Sequence, residues 1–164
     1  ARLKYMLSGN CDIDARNIHA YVIGEHGDSE VTPWSLAHIA GVEIKEYCKQ
    51  CRRCDHQKNL GDIARRVRDS AYHIIDYKGA TFYGIGLSLV RITGAILRDE
   101  KSVLTISTML DGEYGLEDIC LSVPCVTGRG GAESIIDAEL HKGERTAFEK
   151  SAAKLRDVLA SVRK

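Results

Sequence analysis

The residues best placed by type and spacing to do chemistry lie in Gly24-Glu25-His26-Gly27-Asp28-Ser29-Glu30. An imidazole titrates near pH ~6.5 when unperturbed, so a displayed histidine among carboxylates can give or take a proton close to neutrality. The glycines on either side let the backbone turn sharply or approach a ligand. The apolar run Ile18-His19-Ala20-Tyr21-Val22-Ile23 just before it predicts a buried strand opening into the loop. Loops at strand ends are where a rigid scaffold presents reactive groups. A structural histidine satisfied within a turn fits the same residues equally well.

Arg2 is the second candidate. Its planar fork can grip a carboxylate through two parallel charge-assisted hydrogen bonds. If the fold joins it to His26, the pair suits a small anion with a hydroxyl or carbonyl next to a carboxylate. A third cluster, Cys48, Cys51 and Cys54 with His56, has the spacing of metal ligands. It lacks a matching second pair, and the expectation is thiols along a helix in a reducing compartment, with no metal site. Cys120 and Cys125 lie in apolar runs, and they and Cys11 are expected to behave as small core residues.

The elements that must position these groups can be read from periodicity. Residues 1 to about 8 predict the last turns of a helix ending at Gly9-Asn10. Helical propensity resumes over 45–58, and Asn59 to Lys78 predicts a helix capped by Asn59, with Ile63, Val67, Ala71, Ile74 and Ile75 on its inner face. After Gly79, residues 80–97 predict a long, nearly all-apolar helix buried on most sides. Gly84 and Gly86 do not make a nucleotide fingerprint there, since no third glycine or preceding strand accompanies them. Residues 103–109 alternate as a half-buried strand, and 119–127 and 134–138 follow as strands, Pro124 implying an edge or a bulge. A final helix over 142–162 carries Phe148, Ala152, Leu155, Val158, Leu159 and Val162 on its inner stripe. Segregated blocks of strands and helices predict an α+β fold, antiparallel strands packed with long helices, with no domain boundary within residues 1–164.

The bulk properties exclude several functions. Lysine plus arginine and aspartate plus glutamate both number 23, so the 164-residue chain has zero net charge and no electrostatic footprint for nucleic acid. No apolar stretch approaches the ~18 residues of a membrane span, and no signal-peptide pattern opens the sequence, so a cytoplasmic protein is expected. A chain starting Ala1-Arg2-Leu3 inside an amphipathic pattern is expected to be part of something longer.

Several separated motifs carry a specific resemblance. Ala1-Arg2, the stretch from Asn17 through His26 to Glu30, Trp34-Ser35, Val67-Arg68-Asp69-Ser70-Ala71-Tyr72, Lys78-Gly79-Ala80-Thr81 and Leu110-Asp111-Gly112-Glu113-Tyr114-Gly115 occur in one order. Together they resemble the C-terminal, substrate-binding half of NAD-dependent L-lactate dehydrogenases, over essentially the whole chain. Glu25, where malate dehydrogenases tend to carry glycine, favours the lactate form.

The resemblance implies that His26 is the proton donor to the pyruvate carbonyl or acceptor from L-lactate, and that Arg2 binds the substrate carboxylate. It also implies that Thr81 lines the substrate pocket and that Ile85 packs against the nicotinamide of NAD. From the residues alone, Thr81 is a helix-start residue and Ile85 plain core. Lys4 and His19 match positions that bind fructose 1,6-bisphosphate between subunits, Lys4 keeping the charge of an arginine without its fork. A cytoplasmic homo-oligomer, a homotetramer, is further implied. The resemblance places outside this chain the aspartate that orients the histidine, the Rossmann half, and the mobile loop whose arginine polarises the carbonyl. Thr32-Pro33-Trp34 departs from the family's usual Pro-Val-Trp. A malate or other 2-hydroxyacid dehydrogenase is the alternative, as is a folded, non-catalytic oligomerisation module for the chain in isolation.

Overall fold

The computed structural model describes residues 1–51 and 56–162. The chain opens with α1 (Arg2–Cys11), which turns Leu3, Leu7 and Cys11 inward. It runs past the expected Gly9-Asn10 stop and ends where Asp12 adopts a left-handed conformation, φ 53°, its N–H donating to Ser8 O.

The expected strand over 18–23 is shorter. Only Ile18–His19 forms β1, paired with β2 (His38–Ile39), which pairs in turn with β3 (Val42–Glu43). The β2–β3 hairpin turns at Ala40 and Gly41, both at positive φ (52° and 80°), as a tight hairpin requires. With a two-residue partner strand, the ladder has nothing to hold the chain beyond His19. Residues 20–24 leave this sheet and reach a second one through a bridge between Gly24 and Ser122.

Helix α2 (Ile44–Gln50) buries Ile44 and Cys48, and α3 (His56–Lys78) starts three residues before the expected Asn59 cap. Of the metal reading, Cys54 lies outside the described residues. Among the described residues no group of His, Cys, Asp and Glu side chains could hold a metal ion.

The first core joins Leu3, Leu7 and Cys11 of α1 with Ile18, Ile39, Ile44, Cys48, Leu60 and Ile63. Only the first half of the α3 stripe belongs to it. Ala71 and Ile75, expected inside, are exposed.

A larger departure is α4 (Tyr83–Leu97), expected to be buried on most sides. Only Gly94 and Ala95 are buried, against β5, while Ile85, Leu87, Leu89 and Val90 are 55%, 72%, 59% and 69% exposed. Apolar sequence reports that a face is to be covered and not which chain covers it.

The second sheet is an antiparallel meander, β4 (Ser102–Asp111), β5 (Glu117–Gly128) and β6 (Gly131–Ile135), ordered β4-β5-β6. The α+β architecture expected from the sequence is thus observed. Pro124 lies in the central strand opposite Thr105, yet the β6 ladder ends at Cys125 paired with Ile135, so the side on which an N–H is missing faces a strand end. Cys120, expected inside, points outward, whereas Cys125 is fully buried.

Helix α5 (Lys142–Val162) lies against β5 and completes a second core of Ile23, Val31, Leu110, Tyr114, Ile119, Leu121, Val123, Phe148 and Ala152. The Phe148 ring meets Tyr114 at 5.2 Å between centroids. Burial of such a side chain is worth about 3 kcal/mol. The stripe runs on to Leu155, partly buried against this core, and stops there, since Val158, Leu159 and Val162 are exposed. Glu144 ties the helix start to the first half of the chain, accepting from the Ser35 N–H at 3.1 Å and the His141 N–H at 3.2 Å.

Candidate active site

The segment 20–24 runs from one core to the other, Ala20 belonging to the first and Ile23 to the second. The His26 loop begins where it arrives. Four backbone hydrogen bonds pin its base. Ile23 and Val31 exchange two at 2.8 Å, and Gly24 exchanges two with Ser122 on β5, at 2.9 and 3.0 Å.

Gly24 is held at φ 97°, and a Cβ there would lie 2.7 Å from Ser151 Oγ on α5. Both the conformation and the space require glycine. The buried Ser151 hydroxyl accepts from the Glu25 N–H at 2.8 Å and lies 3.2 Å from Ser29 Oγ. Ser29 in turn donates its hydroxyl, and its N–H at 3.2 Å, to the Glu25 carboxylate, which Lys154 also approaches at 3.4 Å. The Ser29 hydroxyl bond, opposed by burial and aided by the Ser29 N–H and Lys154, holds the Glu25 carboxyl below the usual range.

The opposite side of the loop is held by α3. The Tyr72 hydroxyl donates to Asp28 Oδ1 at 2.6 Å, and Arg68 donates to Asp28 O at 3.3 Å. Two of the three carboxylates expected around the imidazole are therefore committed to fixing the loop. His26 stands exposed between the two helices, its side chain making no hydrogen bond among the described residues.

Arg2 is the first residue of α1 and half-buried. Its guanidinium donates to Ser70 Oγ on α3, and the Ser70 hydroxyl donates to Val67 O at 2.7 Å. Arg2, Lys4, His26, Glu30, Val67, Thr105 and Ser122 are among the residues lining one cavity of about 290 Å³. The structure thus brings Arg2 and His26 together. Burial lowers the Lys4 pKa from its ordinary value.

Thr81 and Ile85 do not line this cavity. Thr81 precedes α4, and Ile85 stands on the part of α4 that projects from both cores. His19 is exposed on β1 and does not line the cavity that holds Lys4. Sequence reasoning missed Ser151, Lys154, Ser70 and Tyr72 as supports. The one visible signal was Ser151, a polar residue on the inward stripe between Phe148 and Ala152.

Replacing Ser151 with alanine leaves the Glu25 N–H without its acceptor. A buried donor left unpaired costs about 1–3 kcal/mol. Ser151→Ala is expected to destabilise by that order in chemical denaturation and to speed hydrogen exchange at the Glu25 amide while the β4–β5 ladder stays protected.

The fold and cavity define a class of domain, α+β in architecture, in which a histidine loop clamped between two long helices shares a cavity with the arginine that starts α1. The chain belongs to the lactate/malate dehydrogenase family, whose model for the alpha/beta C-terminal domain matches residues 1–164. It is 51% identical over 164 residues to the L-lactate dehydrogenase of Treponema denticola, covering 99% of this chain and 52% of that protein. Among solved structures it resembles the ligand-bound minor L-lactate dehydrogenase of Enterococcus mundtii, with TM-score 0.92, 41% identity, and coverage of 98% of this chain and 51% of that one. A lactate dehydrogenase from a Medee basin deep-sea metagenome matches at TM-score 0.95 and 39% identity, over 99% of this chain and 52% of that one. The chain spans about half the length of the relatives it matches.

Proposed function

We propose that this chain is the substrate-binding half of an L-lactate dehydrogenase interconverting pyruvate and L-lactate with NADH and NAD. The observation that carries this is the convergence of Arg2 and His26 on one cavity. Arg2, held to α3 by Ser70, grips the substrate carboxylate and so sets the 2-oxo group near the His26 loop. The His26 imidazolium gives its proton to the carbonyl oxygen, and in the reverse direction the neutral imidazole takes the proton of the lactate hydroxyl. Loop pinning from α3 and α5 keeps that nitrogen in place without engaging the ring itself.

The nicotinamide cofactor would supply the hydride at the substrate carbon as NADH and accept it as NAD. Ile85, 55% exposed on α4, offers the apolar surface against which the nicotinamide would lie. Gly84 and Gly86 lie inside α4 and make no phosphate loop, so the pyrophosphate must be held by residues of a dinucleotide-binding half. The exposed apolar face of α4 is what that half, or a second subunit of a homo-oligomer, would cover. Thr81 lines the substrate pocket in this assembled form. Lys4 and His19 are candidates for a fructose 1,6-bisphosphate site between subunits. Among the described residues no helix is long and apolar enough to cross a membrane, and a cytoplasmic setting follows from the proposed activity.

The test is steady-state reduction of pyruvate by NADH in the protein that joins this chain to a dinucleotide-binding half, with oxaloacetate as competitor. A higher kcat/KM for pyruvate is expected. A preference for oxaloacetate would move the assignment to malate dehydrogenase.

A further inference from the structure

Among the described residues no side chain bonds the His26 ring, so within this chain its direction is set by the backbone that carries it. That backbone is a three-residue turn. The Gly27 N–H donates to Glu25 O at 3.1 Å, which places His26 at the apex. One exposed backbone bond is a weak constraint, since such bonds open locally at small cost.

A second closure spans a wider ring. The Glu25 side chain, 17% exposed, folds forward over Gly27, and its Oε2 accepts from the Ser29 hydroxyl and, at 3.2 Å, from the Ser29 N–H. Hydrogen bonds to an ionised carboxylate are roughly twice as strong as neutral ones. The Glu25 N–H donates in turn to Ser151, and Ser29 Oγ lies 3.2 Å from the same hydroxyl, so both ends of the tie rest on α5.

The two glycines of the loop differ in what requires them. Gly24 is held at positive φ against α5, whereas Gly27 is not at positive φ and its conformation is open to alanine. The space is not. A Cβ on Gly27 would run into Glu25 Oε1 and stand 3.0 Å from the carboxyl carbon. The atoms in the way are the far end of a flexible side chain. Alanine would therefore push the carboxylate off Ser29 and leave the rest of the fold in place.

We propose that Glu25 is a positioning residue for the proton transfer, its carboxylate tying residues 25 and 29 together across His26, and that Gly27 is required to make room for it. This rests on His26 being the proton group of the proposed dehydrogenase. With the tie intact the imidazole meets the cavity from one direction. With it broken the turn samples others, and a reacting group misplaced by about 1 Å can cost as much as about 10²-fold in rate.

The experiment uses the protein that joins this chain to a dinucleotide-binding half, as wild type, E25A, E25Q, G27A and the double variant E25A/G27A. Glu25→Ala and Gly27→Ala are each expected to lower kcat for pyruvate reduction by about tenfold, while oxamate affinity, set by Arg2, changes by less than about threefold. Once the carboxylate is gone the added methyl has nothing to displace, so the double variant is expected to match the single ones. Glu25→Gln, whose amide oxygen still accepts from Ser29, is expected to keep kcat within about threefold of the wild type. Losses that multiply in the double variant, a wild-type kcat in E25A, or oxamate affinity falling as far as kcat overturn the proposal. Amide exchange at Ser29 reads the tie without turnover. It is expected to quicken equally in E25A, G27A and the double variant while the β4–β5 ladder stays protected. A wild type that fails to reduce pyruvate tells against the dehydrogenase assignment, whereas unchanged Ser29 exchange in E25A or G27A tells against the tie itself.

Discussion

His26→Ala is expected to lower kcat for NADH-dependent pyruvate reduction by about 10²–10⁴-fold, the range that positioned proton transfer contributes. The same substitution is expected to leave stability nearly untouched. His26 is exposed, and its side chain makes no hydrogen bond among the described residues. Surface changes of that kind stay within about 0.5 kcal/mol. Parallel measurement of turnover and of the denaturation midpoint separates the chemistry from the scaffold. Loss of rate with an unchanged midpoint supports His26 as the proton group of the proposed reaction. Turnover near wild type would mean that the proton comes from elsewhere, and the assignment of the loop would fail with it.

The contrast with Ser151 sharpens this expectation. Ser151 is 0% exposed and touches the loop on both sides of His26, at the Glu25 N–H and at Ser29 Oγ. Its replacement should be felt first as instability and loop exchange. The two residues thus divide the labour of the loop, and the two readouts divide accordingly.

What could be read from the sequence follows the same division. The His26 loop was legible because glycines flank it and an apolar run delivers it, which are local signals. The β4–β5 pair was legible because alternation with period two is local as well. Three features were not. The run 18–23 has the composition of a strand, but composition reports extended backbone and not ladder partners, and β2 supplies only two residues of ladder. Helix α4 has the composition of a core helix, but its Tyr83–Val90 face finds no cover among the described residues. Glu30 was visible only as an acidic neighbour of an imidazole. Its Oε1 is buried with no hydrogen-bond partner among the described residues, and no spacing rule reports an absent partner. The convergence of Arg2 with His26 was likewise beyond local pattern, since it depends on α3, which anchors Arg2 through Ser70 and the loop through Arg68 and Tyr72.

That shared anchoring frames the consequence of Arg2→Lys, expected to raise the pyruvate KM by about 10–100-fold. Charge is conserved in this change and geometry is not. An ammonium is a point charge without the planar fork that engages both oxygens of a carboxylate. Each charge-assisted hydrogen bond is worth about 1.5–3 kcal/mol, and losing one of a pair corresponds to the stated range at about 1.4 kcal/mol per tenfold. Lysine also replaces the guanidinium contact to Ser70, so the substrate is held less firmly relative to the loop and kcat is expected to fall as well, though by less than in His26→Ala. Oxamate, which shares the carboxylate, should weaken in parallel with pyruvate. If KM and oxamate affinity instead stay within about twofold, the carboxylate is gripped by another cation of the same wall, and Lys4, which lines the cavity beside Arg2, is the residue to replace next.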